Sequence, residues 1–318
     1  MTRRLTALLS GAAFVLSLGA CAQTANEPLA AGTTPMATPS EPAARDVIAG
    51  DAPALWKVSD DDTTIYMFGT IHILPKEVTD WYTPALASAL QSSNVMVTEV
   101  LISEMNDTAM QQKMMAVGML PEGEDLRSLL NDEQRTTYEA ALQQLGLPPG
   151  AFDRMKPWLA AMTLSILPLV QQGYDPTAGV EKVLEERAGA DLPREALETV
   201  DYQISVFDGM PREAQIDFLV ETAAEAQNMK ALIDEMVAEW RVGDADGLAD
   251  LMNDSMEADP LLAERLLYAR NRNWAEWIDA RLDQPGTIFM AVGAGHLAGD
   301  KSVQDYLEER GIDSVRVQ

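Results

Sequence analysis

The chain has 318 residues, 47% of them hydrophobic, and its 50 acidic side chains outnumber 23 basic ones for a net charge of −27. A surface that acidic repels nucleic-acid phosphates and anionic lipid, so neither is an expected partner. With a single cysteine the chain has no disulfide framework and no thiolate metal site, and stability rests on a packed core.

Residues 1–20 read as an export signal. Arg3 and Arg4 open it, Leu5 to Leu18 form an apolar stretch too short to span a bilayer as a helix, and Leu18-Gly19-Ala20-Cys21 closes it with small residues. That ending resembles a bacterial lipobox, which implies cleavage before Cys21 and lipid on its sulfur. Ala22 rather than Asp after the cysteine implies the outer membrane. The expected location is therefore the periplasmic side, with membrane contact only through Cys21. From Ala22 to about Gly50 the sequence is rich in Ala, Thr, Pro, Ser and Gly and has no aromatic residue, so it reads as a disordered tether reaching on the order of 30 Å. Residues 51–318 form one expected domain.

Order begins with a strand at Leu55-Trp56-Lys57-Val58, a turn at Asp60-Asp61-Asp62, and a second hairpin arm over Thr64 to Phe68 that runs into Gly69-Thr70-Ile71-His72. Pro84 to Gln91 reads as a helix and Asn94 to Val100 as a buried strand. Glu99, at the end of that apolar strand, either caps a turn or points into a site; the presence of His72 favours the site. Between about 103 and 282 the pattern is mostly helical. Met105, Met110, Met114, Met115 and Met119 crowd its first stretch, where core packing is the expected role. Helices follow at Pro157 to Val170 and Val180 to Ala188, with a turn at Gly173-Tyr174-Asp175-Pro176 between them. Leu192 to Val200 reads as a short strand carrying Glu198, and helices cover Arg212 to Met229 and Ala231 to Val242.

A long helix over Leu261 to Leu282 carries Leu267, Trp274, Trp277 and Ile278 on one face, and Arg270 falls on that same face. A buried arginine needs an anion to face, from the protein or a substrate. Arg272 lies on the opposite, polar face and is expected in solvent. The run Thr287 to Val292 then repeats the earlier pattern and ends on Gly293-Ala294-Gly295-His296. A helix over Lys301 to Arg310 and a strand over Ser314 to Val317 close the chain.

His72 and His296 are the only histidines, and each lies three residues after a glycine that ends a strand-like run. We therefore treat them as one constellation. Side chains from separate strand ends converge in the crevice beyond a sheet's carboxyl edge. Two imidazoles with the Glu99 carboxylate make a ligand set for zinc or another divalent ion such as manganese or cobalt, with Arg270 stabilising an oxyanion. A metal-free alternative uses one histidine as general base on water, Glu99 to orient it, and the other histidine with Arg270 as electrophile. His-Glu-x-x-His, Cys-x-x-Cys, Gly-x-Ser-x-Gly and Walker patterns are absent, and Gly293 to Gly299 has one residue too many for a dinucleotide fingerprint.

Gly69-Thr70-Ile71-His72, Thr98-Glu99-Val100, Leu197-Glu198-Thr199, Arg270-Asn271-x-x-Trp274-Ala275 and Val292-Gly293-Ala294-Gly295-His296-Leu297 together resemble the TraB/GumN family. That family includes the Tiki proteases and is distantly similar to erythromycin esterases. The resemblance runs from about residue 55 to the end. It implies an α/β fold: a central mixed sheet contributed by both ends of the chain, with a largely helical section between the two Gly-x-x-His motifs. It also implies a hydrolytic site of His72, Glu99, Arg270 and His296. Glu198 and Asn271 are the candidate substrate-binding residues beside it. Tiki-like members are metal-dependent proteases, whereas the esterase relatives leave metal use open. The expected activity is hydrolysis of a peptide or small ester. The alternatives are a lipoprotein that binds or sequesters peptide without turnover, and two core histidines satisfied by backbone.

Overall fold

The computed structural model describes residues 52–318 apart from 106–107 and 257–259. The expected signal, Cys21 and the tether to Gly50 lie outside the described residues. No helix among those described is long and apolar enough to cross a membrane.

Alternation along two apolar runs sets the architecture. In the strands Thr63–Thr70 and Gly286–Gly293, Ile65, Met67, Ile288, Met290 and Val292 enter one core, while Phe68, Phe289 and Ala291 enter the other. Successive strand side chains point to opposite faces, so a sheet apolar on both faces must be covered on both. Each large side chain buried in this way contributes about 1.5–3 kcal/mol.

The strands are β1 (Leu55–Ser59), β2 (Thr63–Thr70), β3 (Leu74–Pro75), β4 (Val95–Thr98), β5 (Tyr174–Asp175), β6 (Arg194–Ala196), β7 (Gly286–Gly293) and β8 (Val315–Arg316). Six of them form one mixed sheet in the order β6-β4-β7-β2-β1-β8, and β3 pairs with β5 apart from it. β1 and β2 form the expected antiparallel hairpin, from Leu55 opposite Phe68 to Ser59 opposite Thr64. β2 and β7 run parallel from Thr63 beside Gly286 to Thr70 beside Gly293. β4 lies parallel to both β7 and β6. The α/β fold, with a sheet drawn from both ends of the chain and helices between, is the one the sequence leads us to expect.

One face of the sheet carries the helical section, whose core includes Trp158, Leu164, Tyr138, Leu219 and Trp240. The other is covered by the helices Ala269–Leu282 and Val303–Glu308, through Trp274, Ala275, Ile278, Val303 and Leu307. Met114 is buried in the first core and Met110 and Met115 pack against it, which is the packing role expected of that methionine-rich stretch.

Several boundaries differ from the sequence reading: the helix expected over Arg212 to Met229 ends at Glu225, and the expected turn at Gly173 to Pro176 holds the short strand Tyr174–Asp175. The strand expected over Leu192 to Val200 is only Arg194–Ala196, because the Thr199 side chain accepts from the Tyr202 amide and starts a helix, Val200–Asp208. The long helix expected over Leu261 to Leu282 is interrupted by a π-helical turn at Glu264–Tyr268. The last helix is Val303–Glu308, its start set by a capping box between Ser302 and Asp305.

Candidate active site

Four neighbouring strands, β6, β4, β7 and β2, run parallel, so their carboxyl ends share one edge of the sheet. The residues just beyond those ends are Glu198, Glu99, His296 and His72, in the same order across the edge. Convergence thus follows from topology, as a crevice outside strand carboxyl ends requires.

The two glycine turns touch. A Cβ on Gly69 would lie 3.0 Å from Ala294 Cα and 3.1 Å from its Cβ, so glycine here permits the close approach of one motif to the other. The Gly69 carbonyl accepts from Trp240 Nε1 at 2.7 Å, tying the turn to the helical section.

Arg270 is the hub. Its Nε donates to Glu198 Oε1 at 2.8 Å, and its Nη2 donates to Glu99 Oε2 at 2.6 Å and to Glu198 Oε2 at 3.0 Å. Nη1 faces the Leu266 carbonyl at 3.0 Å and His296 Nε2 at 3.2 Å. The π turn before Arg270 supplies that carbonyl, an arrangement often found at functional sites. The expectation that a buried arginine faces an anion is met twice, with only 1% of its side chain exposed. Five N–H groups thus serve five acceptors, so the oxyanion role considered for Arg270 has no donor to spare in this arrangement. Arg272 lies at the surface with Glu264 and Tyr306.

The carboxylates are further bound. Gln203 Nε2 bridges Glu99 Oε2 and Glu198 Oε2, each at 3.1 Å, and Trp274 Nε1 donates to Glu198 Oε1 at 3.0 Å. The Gly293 amide, at the end of β7, donates to Glu99 Oε1 at 2.7 Å. Glu198 and Glu99 are also joined through backbone, Glu198 N to Glu99 O at 2.8 Å.

His296 is fully buried, with Trp274 stacked obliquely at 4.2 Å between ring centres. Its Nδ1 lies 2.5 Å from Asn271 Oδ1, and the Asn271 amide nitrogen donates to the Lys301 carbonyl at 2.8 Å. That second bond turns the amide oxygen toward the ring, so Nδ1 donates and Nε2 accepts from Arg270. Asn271 therefore orients His296. Burial, then the Arg270 charge, then any charge on His72 hold His296 well below the ordinary histidine range, as a neutral imidazole.

His72 is held differently. Its Nδ1 lies 2.5 Å from Glu181 Oε1, with side-chain exposures of only 9% and 13%. The Thr70 hydroxyl donates to the same Glu181 oxygen. Burial alone would push His72 down, but the charge and hydrogen bond of Glu181, with the Glu99 charge adding, raise it above its usual value. Glu181 is lowered in turn: burial opposes, and the His72 charge and the hydrogen bonds from His72 and Thr70 outweigh it. His72 Nε2 is buried and has no hydrogen-bond partner among the described residues.

Glu181 and Gln203 are functional neighbours that the sequence reading missed. Glu181 sits in the first turn of the helix Val180–Ala188, where an acidic residue is ordinary. Glu99, assigned there to orient the base histidine, instead lies 3.9 Å from His296 Nε2, and the carboxylate on His72 is Glu181. As for a metal, no group of three His, Cys, Asp or Glu among the described residues is placed to hold one. His296 Nε2 faces Arg270, and Glu99 faces Arg270, Gln203 and the Gly293 amide. Held this way, His72, His296 and Glu99 do not fit a metal as a set.

The fold and this edge define an α/β protein with a buried histidine, carboxylate and arginine cluster at the strand ends. The profile of the TraB/PrgY/gumN family matches residues 54–316, and the chain belongs to that family. It is 25% identical over 301 residues to the metalloprotease TIKI2 of Danio rerio, covering 78% of this chain and 57% of that protein. It is 22% identical over 316 residues to the metalloprotease TIKI1 of Xenopus tropicalis, covering 81% and 60%. The human metalloprotease TIKI1 is 21% identical over 311 residues, with 81% and 61% covered. The chain thus spans about three fifths of the length of these relatives. No solved structure matches it.

Proposed function

We propose that this chain is a hydrolase of peptide or ester bonds, with His72 as the group that handles the proton. The carrying observation is His72 Nε2, a buried ring nitrogen without a partner, beside a cluster in which the other polar groups are engaged. Leaving a buried polar atom unsatisfied costs about 1–3 kcal/mol, a cost that a nitrogen awaiting substrate and water explains. The relatives' name, metalloprotease, supports hydrolysis of a peptide bond.

In this reading Nε2 takes a proton from water as the water oxygen attacks the carbonyl carbon. It then returns that proton to the leaving amine or alcohol as the C–N or C–O bond breaks. Glu99, Glu198, Arg270, Asn271 and His296 form a fixed wall of charges and dipoles that need not reorganise during the step. His296, neutral and committed on both nitrogens, shapes the site and does not carry the proton.

Divalent-ion dependence is supported by the relatives' name alone, and zinc, manganese and cobalt are the ions to add. Export and lipid on Cys21 are supported by the first 21 residues, and an outer-membrane location facing the periplasm by Ala22. The engagement of all Arg270 donors favours a second reading, a protein that binds or sequesters peptide without turnover.

Purified chain should be assayed against peptide and ester libraries with and without added ions, beside His72→Ala and His296→Ala. Metal content of all three samples should be measured by elemental analysis. Cleavage by the wild type that is lost in a folded His72→Ala supports the hydrolase. Tight binding of a peptide with no bond ever cleaved replaces it with the sequestering reading.

A further inference from the structure

The two residues of the first motif that carry polar side chains, Thr70 and His72, both reach one oxygen of Glu181. Glu181 lies more than a hundred positions away, on the helix Val180–Ala188. Its delivery is a matter of backbone, with no flexible loop involved. The Val180 amide donates to the Ile71 carbonyl at 2.9 Å, and a Cβ on Gly179 would come within 2.2 Å of the His72 carbonyl oxygen. Only glycine lets the start of this helix press against the backbone of the motif, and that contact places the second residue of the helix beside the ring.

We infer that Glu181 is the positioning residue for His72, fixing the ring so that Nδ1 carries the proton and Nε2 presents its lone pair to the site, with Thr70 holding the carboxylate in place. The hydrogen bond made by one ring nitrogen decides which nitrogen is protonated. A carboxylate can only accept, so Nδ1 donates to it and the unpartnered Nε2 is the acceptor. Without this contact the ring could rotate about its χ2 torsion or exchange tautomers, and Nε2 would face the site only part of the time. The inference rests on the hydrolase reading for its purpose, and on geometry alone for its content.

A chain with two histidines permits a direct test. With ¹⁵N-labelled histidine, only two imidazoles appear in a ¹H–¹⁵N spectrum of the full chain, and His72→Gln identifies which is which. At a pH where the ring is neutral, the expected wild-type His72 carries its proton on Nδ1. Glu181→Gln keeps that form, because an amide oxygen also accepts. Glu181→Leu loses it and gives a mixture of tautomers, and Glu181→Ala gives the same readout where the leucine variant does not fold. A wild-type proton on Nε2, or an unchanged tautomer in the leucine and alanine variants, overturns the inference.

The spectra need no substrate, so the two readings fail separately. A tautomer held by Glu181 in a chain that cleaves nothing leaves the positioning in place and sinks the hydrolase. With a substrate in hand, kcat in Glu181→Leu should fall on the order of 10²-fold at an unchanged KM, with partial rescue in Glu181→Gln. Cleavage that needs His72 and is indifferent to Glu181→Leu overturns the positioning and leaves the hydrolase.

Discussion

Replacing Arg270 by Met removes the cation that faces both Glu99 and Glu198 and keeps an apolar chain of similar length in its place. The change strands three carboxylate contacts of 2.6, 2.8 and 3.0 Å, together with the Leu266 carbonyl and His296 Nε2. The side chains of Arg270, Glu99 and Glu198 are 1%, 3% and 6% exposed, so water cannot take over. Removing one partner of a buried pair costs about 3–5 kcal/mol, and because this guanidinium serves two carboxylates the upper end applies. Urea unfolding followed by circular dichroism reads the loss as a lower midpoint at constant slope. If the uncompensated charge is the cause, adding Glu99→Gln and Glu198→Gln to Arg270→Met should recover at least half of it. A loss below about 1 kcal/mol, or a triple variant no more stable than the single one, would refute the account of Arg270 as the charge that holds this edge together.

Stability should also depend on pH through the two histidines, in opposite senses. His296 is held well below the ordinary value of 6.5, so below that pH the unfolded chain takes up a proton that the native state refuses. Stability from this source is intact above about pH 6.5 and falls by about 1.4 kcal/mol per unit beneath it. His72 is raised, so its contribution is complete below 6.5 and fades as the pH climbs through its native value. Thermal melts of the wild type and His296→Gln between pH 5 and 8 check this, the acid-side slope disappearing in the variant. Gly69→Ala should cost about 1–3 kcal/mol by forcing the two glycine turns apart, and Gly179→Ala should cost more, since its Cβ would meet backbone. Chemical denaturation ranks the two, and Gly179→Ala alone should also disturb the His72 ring signals.

What could be read without coordinates was whatever rests on local pattern. The apolar runs Thr64 to Phe68 and Thr287 to Val292, each ending on a glycine, mark strands, and helical spacing put Arg270 on the buried face and Arg272 on the wet one. The histidines stood out because there are two of them and each follows a glycine turn. Partners were another matter. Glu181 is spelled like any acidic residue in a first helical turn, and Gln203 like any polar residue on a helix. The identity of the carboxylate that meets each imidazole depends on the order β6-β4-β7-β2 and on a glycine that lets a distant helix touch His72, neither of which leaves a local trace. One of the acceptors that engage Arg270, the Leu266 carbonyl, comes likewise from a π turn that no spacing announces. The sequence by itself determined the long strands of the sheet and the buried face of the Arg270 helix, because both follow from local apolar pattern, whereas the short strands Leu74–Pro75 and Tyr174–Asp175 exist only through pairing with each other. Only the tertiary structure decided who faces whom, because a hydrogen bond is made at about 3 Å and that distance is set by packing between elements far apart in the chain.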